Sequence, residues 1–275
     1  MSRAATLRRR LATSPGFVIG AAILLFWVVC AIAGPWLVPY SPYRDDLRHT
    51  LAPPSAAHWF GTDQIGRDIF SRTLVGARSV LSVAPVATLL ATLNGTALGL
   101  VMGYTGGLVD AVLSRLIEVI LALPLIIVAL LVLVALGPSP VNVTLVIAAV
   151  FTPLIARTVR GAVLSERALD YVAAARLRDE GTPNILFREI LPNILPPVLV
   201  ELTVRLGYAI FTVASLSFLG FGVQPPSPDW GLAIAENYGL IVGGYWWTVG
   251  FAAAATASLV ISVHLVAEGL REALA

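Results

Sequence analysis

Lysine is absent from this 275-residue chain, and all eighteen basic residues are arginine. Charge is scarce altogether: Asp, Glu and Arg make up 12% of the residues, against 57% that are hydrophobic. A mean hydropathy of +0.86 is too apolar for a soluble domain of this length, so an integral membrane protein is expected. The formal net charge of +2 is too small to draw a nucleic acid, and no basic run interleaves with aromatics. A single cysteine, Cys30, excludes an intrachain disulfide and a cysteine-based metal cluster. The three histidines, His49, His58 and His264, stand apart without ligand spacing and read as incidental. Also missing are a GxxxxGKS-type phosphate loop, an HExxH helix and a nucleophile elbow. No catalytic residue and no metal site is therefore assigned to the chain.

What is present is a series of long apolar runs. The first, Phe17 to Val38, is 22 residues long, against the ~20 that a bilayer core requires. Ala31-Ile32-Ala33 resembles a signal-cleavage site, but the run exceeds the ~7–15 residues of a signal peptide's apolar region. Further runs follow at Ser79 to Tyr104, Leu116 to Leu136, Val141 to Ile155, Ile194 to Leu219 and Trp246 to Val266. The expected fold is all-α, with six transmembrane helices. Residues 1–16 form an N-terminal segment, 17–38 the first helix, 39–78 a polar loop, and 79–275 a core of five helices with a polar connection over 157–193. With the N-terminus inside, twelve arginines lie on the inner segments (Arg3, Arg8, Arg9, Arg10, Arg115, Arg157, Arg160, Arg167, Arg176, Arg178, Arg188, Arg271). Five lie on the outer ones: Arg44, Arg48, Arg67, Arg72 and Arg78. That asymmetry places both termini in the cytoplasm and the 39–78 loop outside.

Ionisable residues within spans are costly and face the bundle interior or a cavity. Glu201 and Arg205 form an i, i+4 pair, with Arg205 towards the bilayer midplane; they either order the bundle or line a pathway. Glu118 lies three residues after Arg115 near the inner end of the third span, where a boundary ion pair is the favoured reading. Pro85, Pro124 and Pro153 are expected to interrupt and kink three helices. Gly95, Gly99 and Gly103 repeat every four residues and allow another helix to approach closely. On the outer side, Asp63, Arg67, Asp68 and Arg72 suggest an amphipathic segment lying on the membrane surface. Phe218 to Gly231 reads as a rigid surface turn, and Trp230, Trp246 and Trp247 as interfacial anchors.

The longest polar stretch between two spans is DYVAAARLRDEGTPNILFREILPN, Asp170 to Asn193. Tyr171, Ala174, Ala175 and Arg178 fall at i, i+3, i+4 and i+7, on one side of a first short helix. Gly181 is expected to stop that helix, Thr182 to cap a second one and Pro183 to occupy its first position. The stretch is either an ordinary solvated loop or a docking element.

Long motifs give the chain a family likeness. PPSAAHWFGTDQIGRDIFSRTLVGARS (Pro53 to Ser79), VDAVLSRLIEVILALP (Val109 to Pro124) and SFLGFGVQPPSPDWG (Ser217 to Gly231) resemble the inner-membrane permease subunits of bacterial ABC importers for dipeptides, oligopeptides and nickel, specifically the C-type partner of the paired permeases. The 170–193 stretch resembles the family's cytoplasmic EAA loop, with Ala173 in place of its usual Glu and Asp179 in place of its usual Gly. Glycine comes two residues later at Gly181, which predicts a first helix ending about two residues late. Asp179 and Glu180 would set negative charge against the negative end of its dipole.

The resemblance implies a type I importer-like fold whose coupling loop, 157–193, joins spans 4 and 5. It further implies docking to an ATPase through Asp170, Tyr171, Ala174, Ala175, Arg176, Asp179, Gly181, Phe187 and Arg188, and a pathway with Glu118, Glu201 and Arg205 as candidates. The implied partners are a homologous second permease, two ATP-binding subunits carrying ATP and magnesium, an extracytoplasmic substrate-binding protein and membrane lipid. This chain itself is expected to be non-catalytic and without a cofactor, a multi-pass protein of the bacterial cytoplasmic membrane. Peptides are the expected substrate, with nickel or another small solute as alternatives. The rival from another class is a stand-alone ion-coupled carrier using Glu118, Glu201 and Arg205 as a relay.

Overall fold

The computed structural model describes residues 10–274. Arg3, Arg8 and Arg9, counted above for topology, lie outside the described residues. Among those residues the chain is helical, with an isolated bridge between Thr62 and Asp68 as its only strand-like pairing. Helix α1, Pro15–Leu37, starts at a serine cap, where Ser14 Oγ accepts from the Phe17 amide. Helix α2, Ile69–Thr105, begins ten residues before the expected Ser79. Asp68 caps it by accepting from the Ser71 amide at 2.8 Å. Hydropathy missed this first part because Arg72 is buried and bonded to backbone carbonyls rather than solvated.

The third span is broken. Helix α3, Gly107–Leu121, and helix α4, Leu125–Leu136, meet at 86°. Pro124 has no N–H to continue α3, and its ring disfavours a helical conformation at Leu123. Pro85 and Pro153, by contrast, sit inside uninterrupted helices, so the expectation of three interrupted spans holds only at Pro124. Helix α5, Pro140–Arg167, continues 12 residues beyond Ile155, which resolves the shortness of the fourth apolar run. A short helix α6, Asp170–Leu177, leads to α7, Thr182–Phe218, whose residues Ile185–Ile190 are π-helical. Helix α8, Trp230–Asn237, and α9, Trp247–Leu274, complete the chain. Among the described residues, five single helices are long and apolar enough to cross a membrane, or six spans if the bent α3–α4 pair counts as one.

Helix α2 is the hub, packed against α1, α5 and α7. Its glycine stripe explains the tightest of these contacts. A Cβ added at Gly95, Gly99 or Gly103 would sit 2.7, 2.6 or 2.7 Å from the Cβ of Ile155, Val159 or Val163, all on α5. Two four-residue rows thus interlock, glycine against β-branched side chain, which brings the backbones close. Helix α1 packs against α9 through Gly20, which lies against Leu265 and the Ser262 carbonyl, and through Trp27, whose indole N–H donates to Ser258 Oγ at 2.9 Å.

The end of the bundle where α2 begins departs most from the sequence reading. Asp63, Arg67, Asp68 and Arg72 are not on a membrane surface: all four are buried, at 3–5% exposure. Arg67 Nε donates to Asp63 at 2.6 Å and its Nη2 to Glu236 at 2.9 Å. Arg72 Nη1 donates to the Pro42 and Pro226 carbonyls at 2.9 and 3.3 Å, and its Nη2 to the Ser227 carbonyl at 3.3 Å. The proline-rich segment after α7 is therefore held as a lid over the start of α2. Trp230 is no interfacial anchor either. It is 1% exposed, donates to the Thr73 carbonyl at 2.8 Å and meets Trp27 edge to face. Trp247 is also buried and donates to the Thr62 carbonyl, leaving Trp246, 56% exposed, in a position fit for an anchor. His58 is not incidental: its Nδ1 lies 2.9 Å from Asp68. The residue types alone could not show this, because Glu236, the Pro226 and Ser227 carbonyls and the partners of Trp230 and Trp247 lie more than 150 positions away.

Candidate functional site

The 170–193 stretch forms a bracket of two helical limbs joined by a turn. Helix α6 stops in a Schellman turn: the Asp179 amide donates to the Arg176 carbonyl and the Glu180 amide to the Ala175 carbonyl. Asp179 itself takes the left-handed position, with φ of 56°, where glycine is commonest. The expectation that Gly181 stops the helix, about two residues late, is thus corrected. The stop falls at Asp179, and Gly181, with φ of −61°, is the residue before α7. Thr182 is accordingly the first residue of α7 rather than its cap, and Pro183 the second. The negative charge expected at the end of α6 is partly met at home. Arg178 donates to Glu180 from Nε and Nη2 at 2.8 and 2.6 Å, holding that carboxyl below its usual range, and Asn184 also donates to it.

Two contacts fix the bracket to the bundle, and a third ties its own two limbs together. The Tyr171 hydroxyl donates to Glu166 at 2.7 Å, and burial together with that bond pushes the phenol up to about 12. Arg176 stacks on Tyr104 at the C-terminal end of α2, 5.1 Å from the ring centre. Arg178 also reaches Glu189 on α7, at 3.7 Å. Val172 and Ala175 are fully buried. Ala175 and Tyr171 therefore face the chain's own core rather than a partner, and the expected single side of Tyr171, Ala174, Ala175 and Arg178 is split. Asp170, Ala174, Arg176, Asp179, Gly181, Phe187 and Arg188 are exposed. The largest outward apolar group here, Leu177 at 89% exposure, was missed by sequence reasoning. Its signal was a leucine off the buried Val172–Ala175 side in a polar loop. Phe187, 61% exposed, stands on the other limb.

Within the bundle, Arg205 Nε donates to Glu201 at 2.6 Å, and its guanidinium lies 5.6 Å from the Tyr208 ring centre. Tyr208, Phe211 and Phe218 are exposed along the same stretch of α7, so the pair lies beside a face that no other part of the described chain covers. Glu118 accepts from Arg115 Nη1 at 2.7 Å, and both are exposed. Glu118 opens onto a cleft between α2, α3 and α5, whereas Glu201 and Arg205 stand on α7. Among the described residues, no hydrogen bond or ion pair joins these two places. No group of three or more His, Cys, Asp or Glu side chains able to hold a metal ion occurs among the described residues.

Similarity to known proteins agrees with this arrangement. Residues 95–275 match the family described as the binding-protein-dependent transport system inner membrane component. Residues 2–54 match the N-terminal TM domain of oligopeptide transport permease C. The dipeptide transport system permease protein DppC of Bacillus subtilis (strain 168) is 38% identical over 266 residues, covering 97% of this chain and 83% of that protein. The probable D,D-dipeptide transport system permease protein DdpC of Escherichia coli (strain K12) is 37% identical over 261 residues, covering 95% and 87%. The di/tripeptide transport system permease protein DppC of Pseudomonas aeruginosa (strain UCBPP-PA14) is 36% identical over 271 residues, covering 96% and 88%. A broken third span, a glycine-locked α2–α5 pair and a bracket ending in a left-handed turn are thus the form taken here by a multi-pass membrane component of the binding-protein-dependent ABC transport permeases, the family to which this chain belongs.

Proposed function

We propose that this chain forms half of the translocation pathway of an ATP-driven importer for peptides, and that it receives the ATPase stroke through the 170–193 bracket. The peptide assignment rests on relatives named for dipeptide and di/tripeptide transport, each matched over most of its length. The observation that carries the coupling role is the contrast within the bracket. Its inner side is locked to α2 by Arg176 and to α5 by Tyr171, and Arg178 ties its two limbs together, while Leu177 and Phe187 stand out from it uncovered. A lever needs both properties: a face for the partner to hold, and stiffness enough to pass the push on. The broken α3–α4 span and the uncovered face of α7 provide parts that can shift as rigid bodies.

In this reading ATP and magnesium sit on two partner ATPases, a homologous permease supplies the other half of the pathway, and an extracytoplasmic binding protein delivers substrate. Both termini are cytoplasmic. Glu201 and Arg205, beside the aromatic face of α7, line the pathway; Glu118, paired with Arg115, is a boundary ion pair of the third span rather than part of it. A stand-alone carrier would need Glu118, Glu201 and Arg205 in one relay, and the separation of Glu118 from the other two within the chain speaks against that.

The test is Leu177→Asp. The variant should insert and pair with its partner permease normally, yet retain at least ten-fold less ATPase in co-purification. Peptide uptake by proteoliposomes should fall in parallel. Undiminished ATPase retention would remove the coupling assignment, and uptake by the purified chain alone under an ion gradient would replace it with the carrier.

A further inference from the structure

Arg157 has no place in the coupling or pathway roles. It lines a cleft of about 460 Å³ between α2, α3 and α5, together with Arg160, Glu118 and Ser114 over an apolar floor of Met102, Ile117 and Leu121. Arg160 is already committed, donating to both oxygens of Asp110 at 2.5 and 2.6 Å. Glu118 is held by Arg115. Among the described residues, Arg157 is exposed and neither bonded nor ion-paired. Counting the cleft and the side chains paired with it, three arginines face two carboxylates, Asp110 and Glu118, and leave one positive charge over.

Depth along α5 tells what kind of anion could meet that charge. The apolar run of α5 begins at Val141, so Arg157 lies 16 residues, or about 24 Å, along the helix axis, and Arg160 about 28 Å. Set against a hydrocarbon core of ~30 Å, the backbone of Arg157 stops about 6 Å short of the inner edge and that of Arg160 about 2 Å short, so an arginine side chain extended towards the headgroup layer reaches the phospholipid phosphates just beyond it. The rim of the cleft is lipid-like as well: Leu116 and Val119 of α3 are 57% and 66% exposed, so its mouth opens beside an apolar surface. Basic pockets between helices on the cytoplasmic side suit anionic lipid headgroups.

We propose that this cleft binds the phosphate headgroup of an anionic inner-leaflet phospholipid, with Arg157 as its principal cation and Met102, Ile117 and Leu121 receiving the first carbons of an acyl chain. The lipid would brace α3 against α5, on the inner side of the break in the third span.

The experiment uses the complete transporter in nanodiscs of phosphatidylcholine with or without phosphatidylglycerol, and counts retained lipids by native mass spectrometry. The wild-type complex should retain phosphatidylglycerol over phosphatidylcholine. Arg157→Gln should weaken that preference about five- to ten-fold, and Arg157→Lys should restore most of it. Arg271→Gln, at an exposed arginine paired with Glu268, should leave it unchanged. Inorganic phosphate and glycerol 3-phosphate separate a lipid from a free phosphate: neither should displace the retained lipid at millimolar concentration. Equal retention of the two lipids by the wild type, an unchanged preference in Arg157→Gln with intact assembly, or displacement by the soluble phosphates would each overturn the proposal.

Discussion

The two ends of this bundle solve opposite problems with similar residues. At the outer end, Asp63, Arg67, Asp68 and Arg72 are buried and bound to one another, to backbone carbonyls and to Glu236. At the inner end, Arg176, Arg178, Asp179 and Arg188 lie in the open, and only some of their bonding capacity is used within the chain. Charge is structural at one end and available at the other. Buried pairs are expensive to desolvate but costly to break, and they fix one arrangement of the segments they join. Exposed groups contribute little to stability and are free to meet a partner. A closed end that tolerates little change and an open end that offers a surface are what the coupling role proposed above requires.

The most damaging way to break that contrast is at Arg67. Arg67→Ala leaves Asp63 and Glu236 facing each other across a buried site, and breaking such a pair costs ~3–5 kcal/mol. The solubilised complex should lose thermal stability accordingly, whereas Leu177→Asp at the inner end should leave it within about 0.5 kcal/mol while removing the ATPase. Equal destabilisation by the two variants would erase the distinction between the ends.

A smaller loss is expected where the two ends are joined. Gly99 lies on the glycine row that locks α2 to α5, and a Cβ there would stand 2.6 Å from Val159 Cβ and 2.8 Å from the Ala156 carbonyl oxygen. Gly99→Val must push the helices apart, at a cost of ~1–3 kcal/mol. Gly161, which has nothing within 4 Å of such a Cβ, is the control on the neighbouring helix, and Gly161→Ala should be neutral or slightly stabilising in the same melt. This contact was legible in the sequence because the four-residue spacing is itself the physical cause of close approach. The six apolar runs were legible for a similar reason, since a bilayer imposes their length.

What could not be read were features decided by distant partners. Hydropathy began the second span at Ser79 because it cannot know that Arg72 meets the Pro42 and Pro226 carbonyls, and so the true start at Ile69 was hidden. Trp230 carries the composition of an interfacial anchor, yet its indole finds the Thr73 carbonyl 157 residues away. Helical spacing grouped Ala174 with Ala175, whereas the core reached by α6 selects Val172 and Ala175 and turns Ala174 outward. The prolines show the same limit. Pro124 breaks its span and Pro85 and Pro153 do not, although one residue type occupies all three places.

The subtlest test falls on the turn that separates the bracket's fixed and open sides. Asp179 holds φ at 56°, a conformation that costs an L-residue ~1–2 kcal/mol, somewhat less for Asp, and costs glycine nothing. Asp179→Gly should therefore keep the Schellman bonds to Ala175 and Arg176 and ease the backbone, at the expense of greater freedom in the unfolded chain. The two terms nearly cancel, leaving a gain of at most about 0.5–1 kcal/mol. Asp179→Val, which has the same strain problem with a branched side chain and no polar group to bond locally, should instead lose stability and fray α6. Hydrogen exchange at the Asp179 and Glu180 amides reads the difference directly. If Asp179→Val protects them as well as Asp179→Gly does, the left-handed residue is not what ends α6, and the inner bracket is not the stiff lever that the comparison of the two ends demands.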